Sequence, residues 1–239
     1  MISEKTLRQI ALKYQTDDGT VLREYFQNLF LSYFYQHEDS GKIYFKGGTA
    51  LRLIYHSPRF SEDLDFSASV TNVTPIERAV LDTLTAIVKE GVKTDLKEAT
   101  PTSGGYLAEL HFTAYGRTVP IRLEVSLRAG KKSGMFATVV NDFSPDYTIL
   151  QLEEGQLIGE KISALLTRKK PRDFYDFYFL LHHNMIQNKN RETFEAVMKA
   201  LHDAKINFDS ELKVFLPKSH HAIVRDFKAT LEREIKRYV

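Results

Sequence analysis

The chain has 239 residues, 43% hydrophobic and 27% charged, enough for one large domain or two small ones of an ordinary soluble globular kind. It has no cysteine, which excludes a disulfide framework and a thiolate metal centre and fits a reducing, cytoplasmic setting. No stretch approaches the roughly 18 apolar residues that span a bilayer, and Met1-Ile2-Ser3-Glu4-Lys5 lacks the basic-then-apolar pattern of a signal peptide, so no membrane association is expected. The net charge is only +2, yet residues 151–239 hold 16 Lys and Arg against 13 Asp and Glu, with five of the eight histidines. That imbalance permits a polyanionic partner without requiring one.

Taken in order, residues 3–15 and 20–37 read as helices, with Leu7, Ile10, Ala11 and Tyr14, then Leu22, Phe26, Leu29, Phe30 and Phe34, at helical spacing. Thr16-Asp17-Asp18-Gly19-Thr20 separates them with turn and cap residues. Ile43-Tyr44-Phe45 is a short strand ending at Gly47-Gly48, residues 49–55 a helix, residues 63–66 a strand, and residues 75–90 a helix entered through Pro75. The period then changes to two. Residues 106–112 and 119–127 form an antiparallel hairpin around Tyr115-Gly116-Arg117, with Ile121, Leu123 and Val125 on one face and Arg122, Glu124 and Ser126 on the other. Beyond Pro145 the pattern is helical again, over residues 157–167, 174–183, 192–201 and 222–238. This order predicts an α+β first domain, residues 1–150, with a mixed sheet and flanking helices, followed by a helical domain, residues 151–239.

Three features point to one chemistry. Lys46-Gly47-Gly48-Thr49-Ala50-Leu51 places a glycine turn between strand and helix, where main-chain N–H groups and the helix dipole suit phosphate; an ordinary turn is the plain alternative. In Arg59-Phe60-Ser61-Glu62-Asp63-Leu64-Asp65-Phe66, the i, i+2 spacing of a strand points Asp63 and Asp65 the same way, and two adjacent carboxylates repel unless a cation lies between them. Their alternative is a solvated strand end. Glu124 lies on the polar face of its strand, as a third carboxylate or a simple surface residue. Together, phosphate turn and three carboxylates describe a two-metal phosphoryl-transfer site. Arg59 and Ser61 are placed to meet phosphate oxygens; a surface role and a capping role are their alternatives.

These strings resemble the nucleotidyltransferases of the abortive-infection AbiEii toxin type, within the polymerase-β-like superfamily. The resemblance continues at Ile121-Arg122-Leu123-Glu124-Val125-Ser126, at Glu160-Lys161-Ile162-Ser163-Ala164-Leu165, and at Arg168 with Arg172-Asp173-Phe174-Tyr175-Asp176, spanning roughly residues 40–185. It implies a polymerase-β-like nucleotidyltransferase domain whose cleft for nucleotide and acceptor is completed by the helical domain. By position it implies that Gly47, Gly48 and Thr49 hold phosphate and that Asp63 and Asp65 bind metal. Glu124 is then the third metal ligand or the base, Lys161 contacts the triphosphate, and Asp173 is a further acidic site residue. A helix-surface pairing of Lys161 with a glutamate, and salt bridges from Asp173 and Asp176 to Arg168 or Arg172, are the alternatives.

The implied reaction moves a nucleotide from an NTP to an acceptor hydroxyl with two Mg²⁺ ions, or Mn²⁺ in their place. Toxins of this kind act on the 3′ end of tRNA and are paired with a cognate antitoxin, so RNA is the expected acceptor. Arg168-Lys169-Lys170 with Arg172, and Arg128 with Lys131-Lys132, are basic runs able to follow an RNA backbone or simply to face solvent. A nucleotidyl- or phosphotransferase acting on a protein hydroxyl is a second reading. An inactive nucleotide-binding module is a third, against which the intact Asp63, Asp65, Glu124 and Lys161 count.

Overall fold

The computed structural model describes residues 1–128 and 130–238. They divide into two compact units: one formed by Met1–His56 and Phe60–Glu153, the other by Ser57–Arg59 and Glu154–Val239.

The first unit is built on a seven-stranded mixed sheet. Its strands are β1 (Ile43–Lys46), β2 (Leu64–Ala68), β3 (Lys93–Thr102), β4 (Gly105–Ala114), β5 (Arg117–Ser126), β6 (Gly134–Val139) and β7 (Tyr147–Leu152). Their order in the sheet is β3-β4-β5-β2-β1-β7-β6. β2 runs parallel to β5 and antiparallel to β1, and β1 runs parallel to β7. The expected hairpin is β4–β5. Its two-residue turn, Tyr115-Gly116, has positive φ at both positions (52° and 69°), the primed geometry whose twist matches the flanking strands.

Four helices accompany the sheet: α1 (Glu4–Tyr14), α2 (Asp18–Phe34), α3 (Gly47–Leu53) and α4 (Thr74–Lys89). Ser3 caps α1 by accepting from the Thr6 N–H, and Asp17 caps α2 by accepting from the Thr20 N–H. The α2 rings carry the core: Phe26 stacks on Phe112 of β4 at 5.1 Å and Phe34 packs on Phe66 of β2 at 5.3 Å, which also meets Phe45 of β1. All five are buried, as are Ile121, Leu123 and Val125 on the alternate positions of β5. Each such ring removes enough apolar surface from water to stabilise the fold by about 2–3 kcal/mol.

The second unit holds α5 (Glu154–Arg168), α6 (Pro171–His182), α7 (Arg191–Asp203), α8 (Phe208–Lys213), α9 (His221–Arg225) and α10 (Phe227–Ile235). An aromatic cluster fills it: Phe174 meets Phe208 edge-on at 5.4 Å, and Phe227 stacks on Tyr175 at 5.9 Å and packs on Phe208 at 5.2 Å. The single helix expected over residues 222–238 is two, broken at Asp226, whose φ and ψ of −123° and 38° leave the helical region. Strands β3, β6 and β7 and helix α8 were not expected from the sequence. β3 and β6 are the sheet's two edges, mostly exposed on both faces, so neither carries the alternation that marks a half-buried strand. No helix among the described residues is long and apolar enough to cross a membrane.

Candidate functional site

In the first unit the carboxylates and the glycine turn converge on β2. Directly opposed residues of neighbouring strands point to the same face, and the register sets Lys46 of β1 against Asp65 of β2, and Asp65 against Glu124 of β5. Lys46, Asp65 and Glu124 therefore form one row across three strands. The buried residues flanking Asp65, Leu64 and Phe66, point the other way. Glu124 accepts a charge-assisted contact from Arg122, two residues earlier on its own face, at 2.8 Å.

Gly47 turns the chain into α3 with φ of +85°, and a Cβ placed there would lie 2.1 Å from Asp65 Oδ2. Only glycine lets the turn approach that carboxylate so closely. The Lys46 side chain, at the N-cap of α3, does not cap its first turn. Thr49 is buried, and its hydroxyl donates to the main-chain carbonyl of Asp63 at 2.5 Å. Its role in this structure is to clamp the residue before β2 onto α3. Asp63 thus stands just ahead of the strand while Asp65 stands within it. The neighbouring Ser61 carbonyl accepts from Gln27 Nε2 of α2 at 3.0 Å, a second brace on the same segment.

The other candidate residues lie in the second unit. Arg59 is only 3% exposed, so it is no surface residue. Its Nε and Nη2 donate to the two oxygens of Asp176 at 2.7 and 3.0 Å, a two-pronged pair. Lys161 of α5 donates to Asp176 Oδ2 at 2.7 Å, so its partner is this aspartate rather than a helical glutamate. Burial would raise the Asp176 pKa, but the charge of Arg59, then that of Lys161, outweighs it and holds the carboxyl down at about 2. Burial would likewise lower the Arg59 pKa, and Asp176 reverses that shift.

Asp173 is engaged differently. Its carboxylate accepts from the Lys170 main-chain N–H at 3.1 Å, tying down the start of α6, and pairs with Arg168 at 2.6 Å. The acidic residue that reaches Lys161 is Asp176, three positions on. Helical spacing was the available signal: with Asp173 turned to the helix start, the next residue one turn along is Asp176.

Three carboxylates, all oxygen donors, suit Mg²⁺ or Mn²⁺ by type. Among the described residues, however, no three His, Cys, Asp or Glu side chains are gathered closely enough to hold an ion. Asp65 fits such an ion by its register beside Glu124 and by the glycine cradle against it. Glu124 fits once its carboxylate leaves Arg122.

A mixed sheet bearing acidic residues beside a strand–glycine–helix turn defines the class as an α+β nucleotidyltransferase. The chain belongs to the AbiEii family: the family model described as "Nucleotidyl transferase AbiEii toxin, Type IV TA system" matches residues 29–237, well beyond the motifs themselves. Its fold is similar to that of MenT4, a nucleotidyltransferase toxin from Mycobacterium tuberculosis H37Rv, at a TM-score of 0.67 and 17% identity, covering 100% of this chain and 93% of that one. It is also similar to JHP933 from Helicobacter pylori, at 0.53 and 18% identity, covering 99% and 96%. No curated protein matches. The chain is therefore a nucleotidyltransferase toxin of the type IV toxin–antitoxin class, a class that implies an NTP substrate and an antitoxin partner.

Proposed function

We propose that this chain transfers a nucleotidyl group from an NTP to an RNA hydroxyl, with the 3′ end of tRNA as the acceptor, in a reaction that requires Mg²⁺. The observation that carries this reading is the row Lys46–Asp65–Glu124 with the Gly47 turn packed against Asp65. The acceptor oxygen attacks the α-phosphorus, a new O–P bond forms, the bond to the β-phosphate oxygen breaks, and pyrophosphate leaves. Glu124 acts either as the base that takes the acceptor proton or as the third metal ligand. Asp63 and Asp65, joined by Glu124 in the second of these roles, would hold the Mg²⁺, which when bound acidifies the acceptor hydroxyl and offsets the charge on the leaving pyrophosphate.

The chain's own groups supply the rest. The first N–H groups of α3 bind phosphate oxygens, and Thr49 keeps Asp63 in place through its carbonyl. Lys161 binds the triphosphate. Asp176 pairs with both Arg59 and Lys161, which holds Lys161 in one orientation. Arg59 acts through Asp176 as a positioning residue, and Asp173 acts through the start of α6. Lys169 and Lys170, exposed at that helix start, support an RNA acceptor.

Incubating the protein with Mg²⁺, each α-labelled NTP in turn and total cellular RNA tests the acceptor. We expect label on RNA of tRNA size, with a preference among the four bases. Label confined to a protein band would replace RNA by a protein hydroxyl.

A further inference from the structure

The two edges of the sheet differ. β3 is defended against pairing with another chain: it carries Lys93, Asp95, Lys97 and Glu98, a register irregularity between Leu96 and Glu98, and Pro101. β6, Gly-Met-Phe-Ala-Thr-Val, has no charge and no proline, and its register with β7 runs unbroken from Gly134 to Val139. Among the described residues it is paired on one side only, to β7. Phe136 is 77% exposed and Met135 42%, and Val140, just past the strand, 60%; of the eight large hydrophobic residues exposed among those described, three fall within residues 135–140. An uncharged, apolar edge of this kind, with unbroken register, is a template for another strand.

We propose that β6 pairs antiparallel with β6 of a second copy of this chain, forming a twofold dimer. The flanks are self-complementary. Lys131 and Lys132 precede the strand, and Asp142 and Asp146 follow it. A twofold axis near Phe136 sets the start of each strand beside the end of the other, so the lysines of one copy oppose Asp142 of its mate. Parallel pairing would stack like charges instead. Asp142 already accepts from Lys13 and Tyr14, at 2.6 and 2.7 Å, which fixes its position; a carboxylate has acceptor sites for a further cation. The same axis brings the two Phe136 rings together, and an isologous contact of this sort closes at two copies rather than growing into a fibre. Six residues of strand bury less than the ~1,200 Å² of a standard interface, so the dimer is a weak one.

Sedimentation equilibrium of the full chain, from about 1 to about 200 µM, reads the dimer directly in the range expected for so small an interface. We expect the mass to rise towards twice that of the monomer. Phe136→Lys should weaken association by roughly tenfold or more while leaving the thermal melt and nucleotidyl transfer unchanged, because the ring is exposed and the lysine restores an ordinary edge. Lys131→Glu with Lys132→Glu should weaken it in a salt-dependent manner. A wild-type monomer throughout, or a dimer indifferent to Phe136→Lys, overturns the proposal. So does amide-exchange protection of residues 134–139 that appears only with a different protein and not with rising concentration of this one.

Discussion

Asp176 is a fully buried carboxylate that two cations hold ionised, and its removal takes a two-pronged ion pair from the buried Arg59. Replacing it with Ala should therefore cost about 3–5 kcal/mol, the usual penalty for breaking a buried ion pair, read as a fall in the denaturation midpoint. Asp173→Ala removes a helix cap and an ion pair to the half-exposed Arg168, a smaller loss of about 1 kcal/mol that Asp173→Asn should partly restore. The pH dependence follows from the same cluster. The folded Asp176 pKa of about 2 lies below the ordinary 3.8, so its contribution is complete above pH 3.8 and is lost as pH falls towards 2. That contribution is roughly 2 kcal/mol, and acid titration of Asp176→Asn should show a flatter stability curve across this window than the wild type. The sequence named Arg59, Lys161, Asp173 and Asp176 as candidates. Which aspartate meets which cation was not legible, because Arg59 and Asp176 are 117 positions apart and only the folded chain pairs them.

The segment from β1 through α3 to β2 is where local sequence and function meet. Gly47 is required twice over, for its positive φ and for its approach to Asp65. Gly47→Ala should cost upwards of about 1 kcal/mol in backbone strain alone and also displace the carboxylate, so activity should fall further than the melting temperature suggests. Thr49→Val removes the hydroxyl's bond to the part-buried Asp63 carbonyl at a cost of about 1 kcal/mol, whereas Thr49→Ser should retain both stability and turnover. If Thr49→Ser fails as badly as Val, the clamp is not what the hydroxyl provides. The glycine turn, the Asp-x-Asp spacing and the alternation in β5 could be read from sequence because each is a short-range pattern. The edge strands β3 and β6 lacked such a pattern, and the parallel pairings of β2 with β5 and β1 with β7 join segments far apart in the chain.

At the scale of the molecule, a mixed sheet and a helical unit could be foreseen from the change of hydrophobic period along the chain, and the family match confirms the class. That Glu124 lies on a strand neighbouring Asp65 could be expected, but the full strand order and the register that sets the two side by side could not. The return of the chain at Ser57–Arg59 to the second unit was equally invisible, since nothing in Ser57-Pro58-Arg59 marks a departure from its neighbours. The claim that rests on all of this is that the acidic row performs nucleotidyl transfer. Purified wild-type protein and Asp65→Asn, matched for melting temperature, should be compared for incorporation of an α-labelled NTP into RNA in the presence of Mg²⁺. We expect incorporation by the wild type and a loss of at least about a hundredfold in the variant, since removing one charge-stabilising group costs about that much. Equal incorporation by the two proteins would contradict the assignment.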